Sequence, residues 1–397
     1  MKKMQINRIA VIKNGYTAKE LRAVLGEARP GDKLFDSYVP YMQEFVEAFR
    51  DKEVLFIGRK TESDRFDSGK LHAVTVNSVF PKEILFPLRA LKRWKAERTI
   101  RRLIHEFRPQ LVFSFGLYIE IGTNYKYARE IDALFVPIVV APWINPSNPV
   151  RKFLWKGGVE AITDPAIPSI LVRGDFLKDH LLELFNLPPE IIKPYWPVYP
   201  ASFYENTGGS PFSQDRFNVL WVGRMDVDKG AHLLPEILLA IRDRVPNICL
   251  TLVGDGTLAG EIRDQLVKID PAENLWRIAG FVPAPKIADY YNCCDVLIMP
   301  TLDEGFGKVA FEAQLCGAPV VASRIHNIPY LIENGKTGLL VEPGDVEGFV
   351  KAVIKLAKDR VFAESLGKRA AKCARGIKKP NLTSKLKELI SELEFES

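Results

Sequence analysis

Cysteine is scarce in this chain: five residues among 397, at Cys249, Cys293, Cys294, Cys316 and Cys373. No C-x-x-C pair and no Cys/His cluster occurs. That excludes a zinc-ligand pattern and a disulfide framework, and a reducing compartment is expected. No secretory leader is expected either. Lys2 and Lys3 resemble a charged leader start, but the apolar run Ile9 to Ile12 is far too short to follow it. A long uncharged run, Ala133 to Val150, is interrupted by Pro137, Pro142, Pro146 and Pro149 and made polar by Asn145, Ser147 and Asn148. It reads as a buried strand and a loop rather than a membrane helix. Strong net charge is absent: 55 Lys and Arg against 49 Asp and Glu leave +6, too mild an excess to mark a nucleic-acid binder. No internal repeat is found. With 47% hydrophobic and 26% charged residues, the composition excludes a mainly disordered or collagen-like chain.

What is present is alternation. A chain of this length holds about two domains, each able to bury a core. Short apolar runs at Arg8 to Ile12, Glu53 to Ile57, Leu111 to Phe115, Leu134 to Val140 and Ser169 to Val172 read as strands of a first half. Phe217 to Val222, Ile248 to Val253, Leu275 to Ala279, Val296 to Met299 and Val320 to Ala322 read as strands of a second. Amphipathic, helix-length segments separate most of them, which predicts parallel sheets covered by helices, an α/β fold. Tyr195 to Asp215 carries Pro197, Pro200, Gly208, Gly209, Ser210 and Pro211 without a sustained period, and reads as a linker. The expected layout is therefore two Rossmann-like, doubly wound domains with an interdomain cleft. They span 1–205 and 206–376, followed by a C-terminal helix within 377–397 that can pack back on the first domain. Ligands of such sheets sit beyond the carboxyl ends of the strands.

Three strand ends in the second half point to a ligand. After the first strand comes Gly223-Arg224-Met225-Asp226-Val227-Asp228-Lys229-Gly230, with a helix expected near Gly230. Arg224 and Lys229 on one loop beside a helix N-terminus suit a diphosphate. Taken alone they are equally two solvated surface charges. Val253-Gly254-Asp255-Gly256 follows the next strand. Its glycines allow close backbone approach to a ligand, or simply a turn. The third stretch, Pro300 to Ala313, contains Glu304, Gly305, Phe306, Gly307 and Glu312. Gly305 and Gly307 leave first-turn amides open to hydroxyls or phosphate. On helical spacing, Glu304 and Glu312 stand about 12 Å apart, one at each end of a bound diphosphate. Glu312 lies among Val309, Ala310, Phe311, Ala313 and Leu315, so its carboxylate needs a partner, because burying it alone is costly.

Together these segments resemble glycosyltransferase family 4, the retaining nucleotide-sugar transferases of GT-B architecture. The pattern is two glutamates with seven residues between them and G-F-G inside, continuing through Gly317 to Ser323 and Gly335 to Val341. The likeness covers most of 217–345. It implies that Arg224 and Lys229 bind and stabilise the departing diphosphate. Glu312 would bind the ribose. Glu304, Gly305 and the amides of Phe306 and Gly307 would hold the sugar and diphosphate. Gly223 and Gly254 would line the donor, and the backbone near Phe281 and Val282 would meet the base. It further implies front-face attack, with a leaving-phosphate oxygen taking the acceptor proton, and no metal or other cofactor. The donor would be a nucleotide diphosphate sugar. The acceptor would be a glycan, a lipid-linked sugar or a small molecule.

The first half departs from that pattern. Asn14 and Gly15 stand where a Gly-Gly loop is usual, and Trp143 stands where a histidine is usual. These three are the candidate acceptor residues. Tyr195 to Tyr199 replaces an Asn-Gly turn, and His326 to Tyr330 replaces a Gly-Gly-x-Pro-Glu stretch. His72, His105 and His180 remain in this half. Residues 1–205 hold 31 Lys and Arg against 24 Asp and Glu, and Lys82 to Arg108 alone holds nine against three. On that segment Ala96, Ile100, Leu103, Ile104 and Phe107 share one helical face, and Lys95, Arg98, Arg101 and Arg102 the other, flanked by Leu91 and Trp94. It is either a core-packed helix with a solvated face or a contact for anionic lipid. The expected protein is a cytoplasmic hexosyltransferase, peripheral at the inner membrane face, with no nucleic-acid partner. A nucleotide-sugar-binding subunit without turnover and a GT-B nucleotide-sugar epimerase are the alternatives.

Overall fold

The computed structural model describes residues 5–14, 17–27, 39–78, 86–143, 149–204 and 209–395. The chain divides into two compact units, Met1–Pro197 with Lys379–Ser397, and Val198–Lys378.

In the first unit, β1 (Arg8–Asn14), β2 (Glu53–Lys60), β3 (Asp64–Ser68), β4 (Leu71–Asn77), β5 (Leu111–Phe115), β6 (Leu134–Val139), β7 (Ile170–Arg173) and β8 (Ile192–Tyr195) form one sheet. Its order is β3-β4-β2-β1-β5-β6-β7-β8, parallel except for the β3–β4 pair. β1, β2 and β5 read as nearly unbroken apolar runs because both faces of their sheet are covered. β3, at the edge, alternates half-buried and exposed residues that are polar except for Phe66. Nothing in its composition separates it from a loop, and neither strand of this hairpin was expected from the sequence.

The second unit holds β9 (Phe217–Val222), β10 (Ile248–Val253), β11 (Trp276–Gly280), β12 (Val296–Met299), β13 (Val320–Ser323) and β14 (Leu339–Val341). The order is β11-β10-β9-β12-β13-β14, all parallel. Successive residues serve opposite cores. Val219, Trp221, Leu250, Leu252, Val296 and Ile298 pack on one face, and Leu220, Val253, Leu297, Met299 and Val320 on the other. The chain runs outward from β9 through β10 to β11, then returns to β12 on the other side of β9. The topological switch, where open α/β sheets bind ligands, therefore lies between β9 and β12.

The C-terminal helix, Leu382–Phe395, belongs to the first unit. It buries Leu382, Leu386 and Leu389 in one core with Met42, Phe45 and Phe49. The division at Pro197 and Val198 precedes the 205/206 boundary drawn from composition. Residues after Pro197 go with the second unit because Tyr199 and Phe203 pack there.

The basic segment forms the helix Phe86–Phe107. Residues 82–85 lie outside the described residues. Ala96, Ile100 and Ile104 are buried, while Leu91 and Trp94 are exposed, at 47% and 57%. Part of its charge is spent locally: Arg101 donates to Glu130 at 2.6 Å and Arg102 lies 3.7 Å from Glu106. Among the described residues no helix is long and apolar enough to cross a membrane.

The C-terminal helix is tied down at its first turn by Glu44, whose carboxylate accepts from the Thr383 amide at 3.1 Å. Burial pushes the Glu44 carboxyl up to about 7, against the pull of the Thr383 and Leu382 amides. The folded protein therefore holds this proton more tightly than the unfolded chain. The stability so gained is present below the unfolded pKa and is lost as pH rises through about 7. Between pH 4.5 and 7 the loss amounts to about 3 kcal/mol. Glu44→Gln removes that dependence, so its melting temperature should gain on the wild type as pH rises across this window.

Candidate functional site

The site is assembled at the switch point, and its base is a backbone carbonyl. The Asp228 oxygen, in the loop after β9, accepts from the amides of Leu302 and Asp303 at 2.9 and 3.1 Å and from the Thr301 hydroxyl at 3.0 Å. This joins the β9 loop to the β12 loop. Gly230 makes the approach sterically possible. Its φ is +66°, and a Cβ there would lie 1.8 Å from the Pro300 oxygen. The α-helix expected near Gly230 begins only at Leu234. Two 3₁₀ turns, Val227–Lys229 and Ala231–Leu233, intervene, because the chain must first turn under Pro300.

The joined loops bring opposite charges together. Lys229 Nζ donates to the Asp303 carbonyl at 2.9 Å and to Glu304 Oε2 at 3.1 Å. Glu304 Oε1 accepts from the Gly305 amide at 3.1 Å, so that amide is engaged rather than open as the sequence suggested. Arg224 is 65% exposed and bonds Asp226 and Asp228, the latter at 2.9 Å. The Thr257 amide and hydroxyl hold the Asp226 carboxyl below the usual range, and Arg224 adds to this. His326, whose φ is +47°, donates from Nδ1 to the Glu304 carbonyl at 2.9 Å. The sequence marked its stretch as a departure without giving it a place in the site.

Glu312 lies on the helix Lys308–Cys316, capped by Gly307. Glu304 precedes that helix, so the 12 Å helical spacing drawn from the sequence does not apply. Glu312 is 6% exposed and has the partners its apolar setting demands. Oε1 accepts from the Tyr199 hydroxyl at 2.8 Å and pairs with Lys308 at 3.2 Å, and Oε2 accepts from Tyr291 at 3.0 Å. Burial and the adjacent carboxylate push the Tyr291 phenol well above its ordinary value, and they push the Cys316 thiol up to about 12. No simple spacing links Tyr199, Tyr291 and Lys308. Only Lys308, one turn before Glu312, carried a readable i,i+4 signal.

The remaining expected residues separate into two groups. Gly223 donates to Val253 and Gly254 to Gly280, at 3.0 and 2.8 Å, so β9, β10 and β11 end side by side. Gly254 has φ +131°, and a Cβ there would lie 1.8 Å from the Gly223 oxygen. Phe281 is 56% exposed just past β11, and Val282 packs partly against the core. The Phe306 ring is buried edge-to-face on Phe311, which leaves only its backbone to face a ligand. In the first unit, Asn14 ends β1 exposed, and Gly15 lies outside the described residues. Trp143 is 1% exposed and packs against Tyr118 and Phe185. Its indole is a core group and presents no surface to an acceptor. His180 reaches this strand end from another helix, with Nε2 2.9 Å from the Trp143 oxygen. The sequence also missed the buried pair at the end of β1, Lys13 to Glu20 at 2.6 Å, where burial lowers the lysine pKa. Among the described residues no group of three or more His, Cys, Asp or Glu is placed to hold a metal ion.

Comparison with known proteins matches residues 216–359 to the family described as Glycosyl transferases group 1. The chain is 34% identical over 158 residues to D-inositol 3-phosphate glycosyltransferase of Pseudarthrobacter chlorophenolicus, which covers 39% of this chain and 38% of the relative. The chain thus spans about two fifths of the length of that relative. In structure it is similar to sucrose-phosphate synthase from Thermosynechococcus elongatus, with a TM-score of 0.74 and 19% identity, covering 98% of this chain and 100% of the other. It is also similar to Anabaena HepE in complex with UDP, with a TM-score of 0.67 and 16% identity, covering 98% and 99%. At these identities the likeness shows the fold, two Rossmann-like units of the GT-B type.

The joined loops carry a stability prediction. Gly230→Ala forces a clash with Pro300 at a positive φ and should destabilise the second unit by at least about 2 kcal/mol. Urea unfolding followed by tryptophan fluorescence reads this, and an unchanged midpoint would show that the loops do not need their close approach.

Proposed function

We propose, from the match of residues 216–359 to the group 1 glycosyl transferases, that this chain transfers a hexose from a nucleotide diphosphate sugar with retention of anomeric configuration. The observation that carries the proposal is the meeting of Lys229 with Glu304 at 3.1 Å at the switch point, with Arg224 on the same loop. A diphosphate placed there faces one guanidinium and one ammonium, which neutralise charge as it leaves. This assigns charge neutralisation to side chains and no metal cofactor. Glu304 then takes hydroxyls of the donor sugar, and Glu312 those of the ribose.

In the transfer, the bond from the sugar C1 to the leaving phosphate oxygen breaks as the acceptor hydroxyl bonds to C1 from the same face. The acceptor proton passes to the leaving phosphate oxygen. No protein nucleophile is needed. The acceptor, a glycan, a lipid-linked sugar or a small molecule, is assigned to the first unit. The exposed Leu91 and Trp94, with Lys95 and Arg98 beside them, fit a peripheral contact with anionic lipid at the inner face of the membrane.

The donor is tested by thermal shift with UDP, GDP, ADP and dTDP sugars, since a ligand of the folded state raises the melting temperature. The sugar that binds is then offered with an acceptor panel. Arg224→Ala and Glu312→Ala should each lower kcat/KM by about a hundredfold or more. Full activity in either variant would refute the site. Tight donor binding without turnover over the panel would instead favour a binding subunit, and epimerised sugar without acceptor an epimerase. Trp94→Ala should reduce co-sedimentation with phosphatidylglycerol vesicles and leave phosphatidylcholine vesicles unaffected.

A further inference from the structure

Glu312 carries more partners than a free ribose site needs. A carboxylate offers about four lone-pair sites, and here three are taken. Tyr199 and Lys308 share Oε1, at 2.8 and 3.2 Å, and Tyr291 holds Oε2 at 3.0 Å. A ribose diol brings two donors of its own, so one partner must give way.

The surroundings say which. Tyr291 is 1% exposed, and losing its acceptor would strand a buried hydroxyl. Lys308 sits on the same helix, one turn before Glu312, and neutralises a buried carboxylate whose charge would be left unpaired if the ammonium withdrew. Tyr199 is different. It lies outside any helix or strand, between Val198 and Pro200, both exposed. Its hydroxyl, once released, can be hydrated. Its ring is held independently, 4.7 Å from Phe203 and 6.0 Å from Phe311.

We infer that the Tyr199 hydroxyl occupies, in the free protein, the place on Glu312 that a ribose hydroxyl takes in the donor complex. Donor binding is then an exchange of one hydroxyl for another. The tyrosine keeps a buried carboxylate satisfied while the site is empty, at a cost in donor affinity. It thereby sets affinity for the ribose without touching the reacting atoms. This inference rests on the donor-site assignment proposed above.

Tyr199→Phe tests it, since the ring contacts remain and only the competing hydroxyl is lost. Binding of UDP, GDP and ADP to the full chain is measured by calorimetry, together with the 2′,3′-dideoxy form of whichever nucleotide binds. The variant should bind the ribonucleotide roughly tenfold more tightly and the dideoxy form with unchanged affinity. Equal or weaker ribonucleotide binding in the variant would overturn the exchange, because the tyrosine would then be a bystander or a ligand of the ribose. Equal tightening of both forms would overturn it too, since the gain would not need the ribose hydroxyls. If none of the three binds the wild type but dTDP does, this inference fails while the donor-site assignment stands, since a 2′-deoxyribose offers Glu312 no diol; if dTDP does not bind either, both fail.

Discussion

The carbonyl of Asp228 is the point on which the site depends. β9 and β12 pair over only two residue positions, Val219 with Val296 and Leu220 with Leu297. Beyond such a short ladder, two loops have no reason to stay together. Asp228 supplies one by accepting from Thr301, Leu302 and Asp303. Because backbone and a buried threonine carry this junction, it does not depend on Arg224 or on the Lys229–Glu304 pair, although Lys229 also bonds the Asp303 carbonyl across the two loops. Those side chains can then present charge to a ligand. A junction built from those charges themselves would be broken by any ligand that claimed them.

Charge is managed in two ways across the chain. At the β9 loop, Arg224 is largely exposed and its neighbours are carboxylates that an incoming anion can displace. Deeper groups are paired: Glu312 with two tyrosines and a lysine, Lys13 with Glu20, and Arg59 with Glu97 and Asn124. A buried charge left unpaired costs several kcal/mol, so its partners belong to the fold as much as the apolar core does. On the basic helix Phe86–Phe107 two exposed cations differ in their partners, one paired with a carboxylate and one set over an aromatic ring. Arg101 is held by Glu130, while Arg98 stacks over exposed Trp94 at 5.5 Å.

The parts legible in the sequence were those with a strong local cause. Double burial turns β1, β5, β9, β10 and β12 into apolar runs, and these were found nearly to the residue. The basic helix and the C-terminal helix declared themselves by their faces. The β3–β4 hairpin was invisible because β3 carries a single apolar residue, Phe66, and β14 because it has three residues. Trp143 was misplaced among candidate acceptor residues because a strand-end position does not reveal which way a side chain turns. The helix expected near Gly230 gave way to 3₁₀ turns, for a reason that lies in Pro300, seventy residues away in sequence.

The amino-acid order by itself determined the α/β class and the two-part organisation, and it marked Arg224, Lys229, Glu304 and Glu312 as candidate residues. Class and organisation follow from periodicity and linker composition, and the candidates from strand-end glycines and charges read together with the family resemblance. Tertiary structure alone decided that Lys229 meets Glu304, that the Gly305 amide is already used, and that Tyr199 sits on Glu312. The physical reason is common to the first and the last, the two contacts between residues distant in sequence. Hydrogen bonds act over about 3 Å, and which groups come that close across a hundred residues is set by how the strands pair, not by the spacing of the residues along the chain.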